Sequence, residues 1–452
     1  MSISQIKVVC GQNQYPEKQY IIQTLFQEYL GLAITIEFAL NDSYSIHLNN
    51  QTLIIEDHFF SQFHEPQSYL AEKNIPANIE RFTHPDYNAS GLPVIYGNPI
   101  IEEVSEGTIK CHIDIFASSF FMLTRWEEYV NSKRDQHGRY PATESLAYKH
   151  AFLDRPVVNE YLELLKALLL KLDASLQFKC WQFQCIPTHD IDHIRKWGTL
   201  SDTRKKLAHD FITKFRPLTG LENMIDAALV WSGLRKDPYD TFNYIVDLSK
   251  KHGLTSRFYF LCGGTDKLDN NFDIRDAASV IEYLLENEQI IGFHPSYSSH
   301  LNIDQWGKEK LMLETIAGRQ MVEGRQHYLR FEAPFTWRLW NEMEMNEDST
   351  AGYSEFPGFR CGTCYPFKVF DFIERKTLRL VENPMVLMET TLITYMKLKP
   401  KEAYHAAKKL YLTVKKFNGN FTFLWHNSAM HTVEDKPYLY VYESIVKGFA
   451  DD

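Results

Sequence analysis

Apolar and polar positions change their rhythm near residue 180. Before it, short apolar runs at Ile6–Cys10, Ala33–Phe38 and Thr52–Glu56 predict strands, with turn residues at Asn41-Asp42 and Asn49-Asn50. Two later segments take helical spacing: 116–130 and, more strongly, 157–172, where apolar residues recur at three and four. Residues 1–180 therefore read as an α+β domain whose role the pattern does not state. From 181 the rhythm becomes strand, loop, amphipathic helix, strand. Strands are predicted at 181–188, 256–262, 289–295, 327–334, 384–392 and 420–427, and helices at 239–251, 276–287, 308–323, 368–376 and 401–417. Such alternation implies an α/β domain over 181–452 with a parallel sheet, open or closed into a barrel.

Composition narrows the partners. The 452 residues carry 48 Lys and Arg against 58 Asp and Glu, a formal charge of −10. Phosphate contacts need clustered cations, so neither a nucleic acid nor an anionic membrane surface is an expected partner. No run approaches the ~20 apolar residues of a membrane span; the best, Leu162–Leu170, is cut by Lys166. The opening residues lack a basic stretch followed by an apolar one. The 7 cysteines are too few and too scattered for a disulfide framework, and both features point to the cytoplasm. Cys361 and Cys364 form a C-x-x-C, but Tyr365-Pro366 follows at once and no second pair exists. A tight turn with two buried thiols is the expectation there. Gly263-Gly264 follows a strand but belongs to no phosphate-binding motif, and there is no G-x-S-x-G elbow.

Parallel α/β sheets carry their chemistry at the carboxyl ends of the strands. Here those ends are polar: Thr188-His189-Asp190-Ile191-Asp192-His193, then His294-Pro295 through His300, then Arg330-Phe331-Glu332, then Trp425-His426-Asn427. In extended chain, residues two apart face the same way, so Asp190 and Asp192 project together. Two carboxylates that close repel unless a cation or proton lies between them. Asp192 could equally cap a helix, and His294 or His426 alone could each be a hydrogen-bonded structural residue. If the ends converge, the set suits a divalent metal, with one carboxylate left as base and one imidazole as acid.

In order along the chain, these ends resemble the polysaccharide deacetylase family of NodB homology, a group of carbohydrate esterases. Thr188-His189-Asp190 resembles its T-F-D-D motif, with Ile191 at the second Asp place and Asp192 next. His294 opens the H-S/T-x-x-H motif, but Ser298 stands four on and His300 follows. Leu424-Trp425-His426 matches L-x-H; Arg330 and Pro334 match R-x-P loosely; Asp348-Ser349 resembles a later D-S segment. The likeness spans about 185–430. THDID, GFHPSYSSH and GFRCGTCYPF look like a bacterial subgroup with an uncharacterised N-terminal domain, of which FASSFFMLTRWEEY looks like a part. The resemblance implies a distorted (β/α) barrel and removal of N- or O-acetyl groups from a bacterial surface polysaccharide or its precursor. The implied cofactor is a divalent metal, zinc first. By resemblance Asp190 is the base, Asp192, His294 and His300 are metal ligands, and His426 protonates the leaving group. Arg330 orients the base, with Arg338 or Arg360 as substitutes. A metal-free carbohydrate-binding or assembly protein on the same barrel, or a glycoside hydrolase using Asp190 with Glu332, are the competing expectations.

Overall fold

The computed structural model describes residues 6–449 apart from 88, 199, 209–216, 265, 270 and 271. Six strands of the first half, β1 (Ile6–Gly11), β2 (Ile34–Ala39), β3 (Ser43–Leu48), β4 (Gln51–Glu56), and, beyond a hairpin of β5 (Glu80–His84) and β6 (Ala89–Val94), β7 (Gly97–Ser105) and β8 (Thr108–Ile113), form one sheet ordered β2-β1-β3-β4-β8-β7. Alternation fixes its faces: Tyr44, Ile46 and Leu48 are buried along β3 while Ser43, Ser45 and His47 look outward. Helix Ile115–Thr124 is buried along its whole length, capped by Asp114, whose carboxylate accepts from the Ala117 N–H at 2.9 Å. A helix buried all round has to be covered on every side. Helices Tyr15–Gln23 and Val157–Leu172 cover it from the first half, and a strand of the second half covers the rest.

The second half contributes β9 (Gln184–Ile191), β10 (Arg257–Leu261), β11 (Ile290–His294), β12 (Glu323–Gly324), β13 (Glu347–Asp348), β14 (Phe367–Asp371), β15 (Lys376–Glu382), β16 (Leu387–Met388) and β17 (Asn420–Leu424). They form one sheet ordered β14-β15-β13-β12-β11-β10-β9-β17-β16, parallel except for the β14–β15 hairpin. The sheet curls until its ends adjoin. Asn383, just past β15, donates its backbone N–H to Asp348 of β13 at 2.8 Å, while its side-chain oxygen accepts from Thr422 of β17 at 3.2 Å. Val386 then donates to Thr422 O at 2.9 Å and the chain enters β16. The fold is thus mixed α/β, with a curled parallel sheet that turns the carboxyl ends of β9, β11, β16 and β17 toward one point.

Three predicted elements differ, the first being 384–392, where only Leu387–Met388 is strand and the chain turns helical from 389. Residues 327–334 form a short helical turn and loop instead of a strand, and 368–376 form β14 and a turn instead of a helix. Short apolar runs carry too few repeats to tell the two periods apart. At 368–376 the hairpin partner decides, and Arg375 takes the left-handed turn conformation at φ 53°.

The two halves share buried polar contacts. Arg360 grips Glu128 through Nη2 at 2.6 Å and Nε at 2.9 Å, and Arg125 Nε donates to the same carboxylate at 2.9 Å. Cys361 and Cys364 are buried free thiols, and burial pushes both well above the ordinary thiol range. Among the described residues no helix is long and apolar enough to cross a membrane.

Candidate active site

Strand alternation sets the first pair. Thr188, Asp190 and Asp192 share one face of β9 and its exit, while His189 points the other way. Its ring is buried, with Nδ1 donating to Trp425 O at 2.6 Å, and burial lowers its pKa to about 4. His189 is a neutral core histidine, and Trp425 beside His426 is likewise core, its indole N–H donating to Ala429 O at 2.8 Å.

Three donor atoms converge: Asp192 Oδ1, His294 Nε2 and His327 Nε2, all within 4.8 Å of one another. His294 Nε2 stands 3.3 Å and His327 Nε2 3.7 Å from Asp192 Oδ1, and that oxygen is buried with no hydrogen-bond donor. The ring tautomers follow from the far nitrogens. His294 Nδ1 donates to Arg325 O at 2.5 Å, so its Nε2 carries a lone pair. His327 Nδ1 faces Asp269 Oδ1 at 3.4 Å, a carboxylate–histidine pair of the sort that orients metal ligands. Asp269 is itself fastened by the Tyr297 and Ser298 N–H groups at 2.5 and 3.1 Å. Gly264 has φ +96° and makes room for it: a Cβ there would lie 2.1 Å from Asp269 Cβ. The Gly263-Gly264 pair thus supports a ligand's partner and cradles no phosphate.

Electrostatics agree with that convergence. Burial alone would raise Asp192, but the imidazoles of His327, His294 and His426 outweigh it and hold the carboxyl well below its usual range. Burial alone would lower His327; the Asp192 and Asp269 carboxylates reverse that and bring it to about 9. Without an ion a proton shared between His327 and Asp192 satisfies that oxygen, and a cation would take the proton's place with the carboxylate oxygen and the two imidazole nitrogens as donors. Two nitrogens and one oxygen with open positions match a catalytic zinc donor set.

Asp190 lies beside this cluster, with Oδ2 3.8 Å from His294 Nε2. Its Oδ1 accepts from Arg325 Nη1 at 2.8 Å, and the same nitrogen reaches Thr188 Oγ1 at 2.9 Å. Arg325 is fully buried and also donates from Nε to Ser349 O at 2.8 Å. On the opposite side His426 Nδ1 donates to Glu389 Oε1 at 2.5 Å and Nε2 looks at Asp192 Oδ2 from 3.6 Å. Burial would lower His426; Glu389 first, then Asp192 and Asp190, raise it to about 10, so its Nε2 holds a proton. A pocket of about 280 Å³ joins these groups and is floored by Leu329, Met388 and Leu424.

Asp190, Asp192, His294 and His426 therefore come together, and two residues named from the sequence do not. His300 is outside the donor cluster: its ring is buried near Arg330, and burial lowers its pKa to about 3. Six positions past His294, on the far side of a turn through Pro295, its ring cannot return to the cluster; His327 supplies the third donor. Arg330 does not reach Asp190; its Nη1 donates to Tyr297 O at 2.5 Å and its guanidinium lies 4.2 Å over the Tyr297 ring. Arg325 holds the position beside Asp190. Arg338 is bound to Asp371 and Arg360 to Glu128. Glu332, the carboxylate paired with Asp190 in the glycoside-hydrolase expectation, does not line this pocket. His327 and Arg325 were hidden because they leave β12, a strand of two residues, and because the turn that carries His327 is strained. Tyr328 and Leu329 adopt φ of 61° and 52°, a conformation side chains avoid and that clusters at functional sites.

A family of unknown function, DUF7033, matches residues 6–174. No curated protein matches the chain. Among solved structures the chain resembles a protein named as a candidate polysaccharide deacetylase from Mycobacterium smegmatis, at 14% identity over 59% of this chain and 85% of that one, with a TM-score of 0.39. It also resembles a family 4 carbohydrate esterase from Streptomyces lividans in complex with acetate, at 7% identity over 59% and 89% of the two chains, TM-score 0.27. A CE4 family pseudoenzyme from Bacillus anthracis follows at 11% identity over 58% and 62%, TM-score 0.28. Likeness this slight leaves the chemistry to the site's own geometry.

Proposed function

We propose that the protein is a metal-dependent hydrolase that removes N- or O-acetyl groups from sugars of a bacterial surface polysaccharide or its precursor. The observation that carries this reading is the buried, donorless Asp192 Oδ1 faced by the Nε2 atoms of His294 and His327. Asp192, His294 and His327 would hold the ion, zinc being the best match to their donor set. When bound, such an ion polarises an acetyl carbonyl and lowers the pKa of water.

The chain's own residues supply the proton transfers. Arg325 ties down Asp190 Oδ1, leaving Oδ2 to take a proton from the attacking water. The Nε2 proton of His426, kept in place by Glu389, goes to the departing sugar nitrogen or oxygen as the carbonyl carbon releases it. The products are acetate and a free amine or hydroxyl. Leu329, Met388 and Leu424 offer an apolar wall for the acetyl methyl group.

The test is metal content together with acetate release from N-acetylglucosamine oligomers and O-acetylated sugars. Metal near one equivalent, with release lost on chelation and restored by zinc, supports the reading. A protein that takes up no divalent metal and frees no acetate from any of these substrates overturns it.

A further inference from the structure

The wall of this pocket is not built by the second half alone. Residues 135–139 form a tight loop fastened by Asp135, whose Oδ1 accepts the His137 and Arg139 N–H groups at 2.8 and 2.9 Å. The loop sends Arg139, only 7% exposed, into the pocket lining. Four of its five N–H donors are taken: Nε and Nη2 by Asp135 at 2.8 and 2.7 Å, Nη2 again by Tyr395 Oη at 3.2 Å, and Nη1 by Tyr328 O at 3.1 Å. One Nη1 hydrogen is left over. Asp135 balances the charge of Arg139, which leaves this side chain as a donor more than as a net cation.

Arg330 supplies the net charge beside it. Its Nη2 approaches Gly138, where a Cβ would lie 3.8 Å away. Among the described residues no carboxylate stands in ion-pair range of Arg330, and its Nε is buried without an acceptor. Burial first, then the charges of Arg139 and Arg330, lower the pKa of the neighbouring His137 against the pull of Asp135. The rings of Tyr297 and Tyr328 stand around this point, 5.4 Å apart. The Arg330 guanidinium already covers the Tyr297 face, so the Tyr328 ring and the remaining Nη hydrogens of Arg330 and Arg139 are what a sugar bearing an anion would meet.

We infer that Arg330, with Arg139 as a hydrogen-bonding partner, forms a subsite for an acidic group on the glycan, a carboxylate or phosphate carried by a sugar next to the one being processed. The inference deepens the deacetylase reading by naming its substrate class, and it makes the N-terminal half part of the substrate site.

The test uses full-length protein and two matched acetylated tetrasaccharides: a neutral N-acetylglucosamine oligomer and one alternating N-acetylglucosamine with glucuronate. Binding is measured by calorimetry at low and high salt, and acetate release is scored separately. The acidic oligomer is expected to bind roughly tenfold more tightly at low salt, a preference that shrinks with salt as exposed charge pairing does. Arg330→Gln should abolish the preference and Arg330→Lys should retain most of it; Arg139→Gln should weaken both oligomers. Equal binding of the two by the wild type, or a preference untouched in Arg330→Gln, overturns the inference. Selective binding of the acidic oligomer without acetate release would leave the subsite standing and remove the deacetylase reading instead.

Discussion

Arg325 donates from Nη1 to Asp190 Oδ1 at 2.8 Å across 135 residues of sequence, and both side chains are buried. A buried carboxylate so held keeps one oxygen occupied and presents the other in a single direction. The same arginine accepts at its backbone oxygen from His294 Nδ1 at 2.5 Å, so one residue positions both the proposed base and a ring of the donor cluster. Arg325→Met should lower kcat by about 10²-fold or more while KM moves little, the pattern of a group whose effect appears in the transition state. Steady-state kinetics on an acetylated oligomer give the answer; an unchanged kcat would falsify the assignment.

The two aspartates should separate by readout. Asp190→Asn is expected to keep bound metal and lose acetate release by about 10²–10⁴-fold, the usual worth of a general base. Asp192→Asn should lose the metal itself, because its Oδ1 is the oxygen that both imidazoles face. Metal analysis of the purified variants beside an acetate assay distinguishes them, and a swap of the two outcomes reverses the roles.

His327 and His300 make a matched pair. His327→Ala should release the metal, and Asp269→Asn should weaken it by about 10–100-fold, as loss of an outer partner does. His300→Ala should leave metal affinity unchanged, since its ring lies outside the donor cluster. Competition with a chelating dye measures all three; a His300 variant that loses metal contradicts the geometry.

Glu389 should act through His426. Its Oε1 holds His426 Nδ1 at 2.5 Å and is the first cause of that ring's raised pKa. Glu389→Gln is expected to cut kcat most for substrates with poor leaving groups, N-acetyl sugars above activated acetyl esters that need little protonation. Equal losses on both substrate types argue for a merely structural carboxylate.

Stability should show an acid-side gain from a second buried carboxyl pair. Burial pushes Asp348 up to about 7 against the hydrogen bonds of Thr350, and burial together with the Asp348 charge raises Glu382 as well. The folded chain then binds more protons than the unfolded one between about pH 4 and pH 7, so this pair's contribution is present at low pH and fades as pH rises through 7. Asp348→Asn should flatten that slope, its melting temperature gaining about 1 °C on wild type at pH 8 relative to pH 5 for each kcal/mol recovered. A slope unchanged by the substitution removes the pair as its source.

The chain's own pattern determined the alternating α/β second half, the shared face of Asp190 and Asp192, and the placing of His294 and His426 at strand ends. Periodicity is a local property, and a strand of five or more residues carries enough repeats to show which side chains point where. It could not reach the two-residue strand Glu323–Gly324, nor the left-handed turn at Tyr328 that aims His327 inward. Nor could it choose among arginines: the sequence pointed to Arg330, but the curl of the sheet brings Arg325 to Asp190 and leaves Arg330 at the rim beside a loop from the other half. Which distant groups meet is set by how sheets curl and pack, and those forces act between residues that no short window of sequence contains.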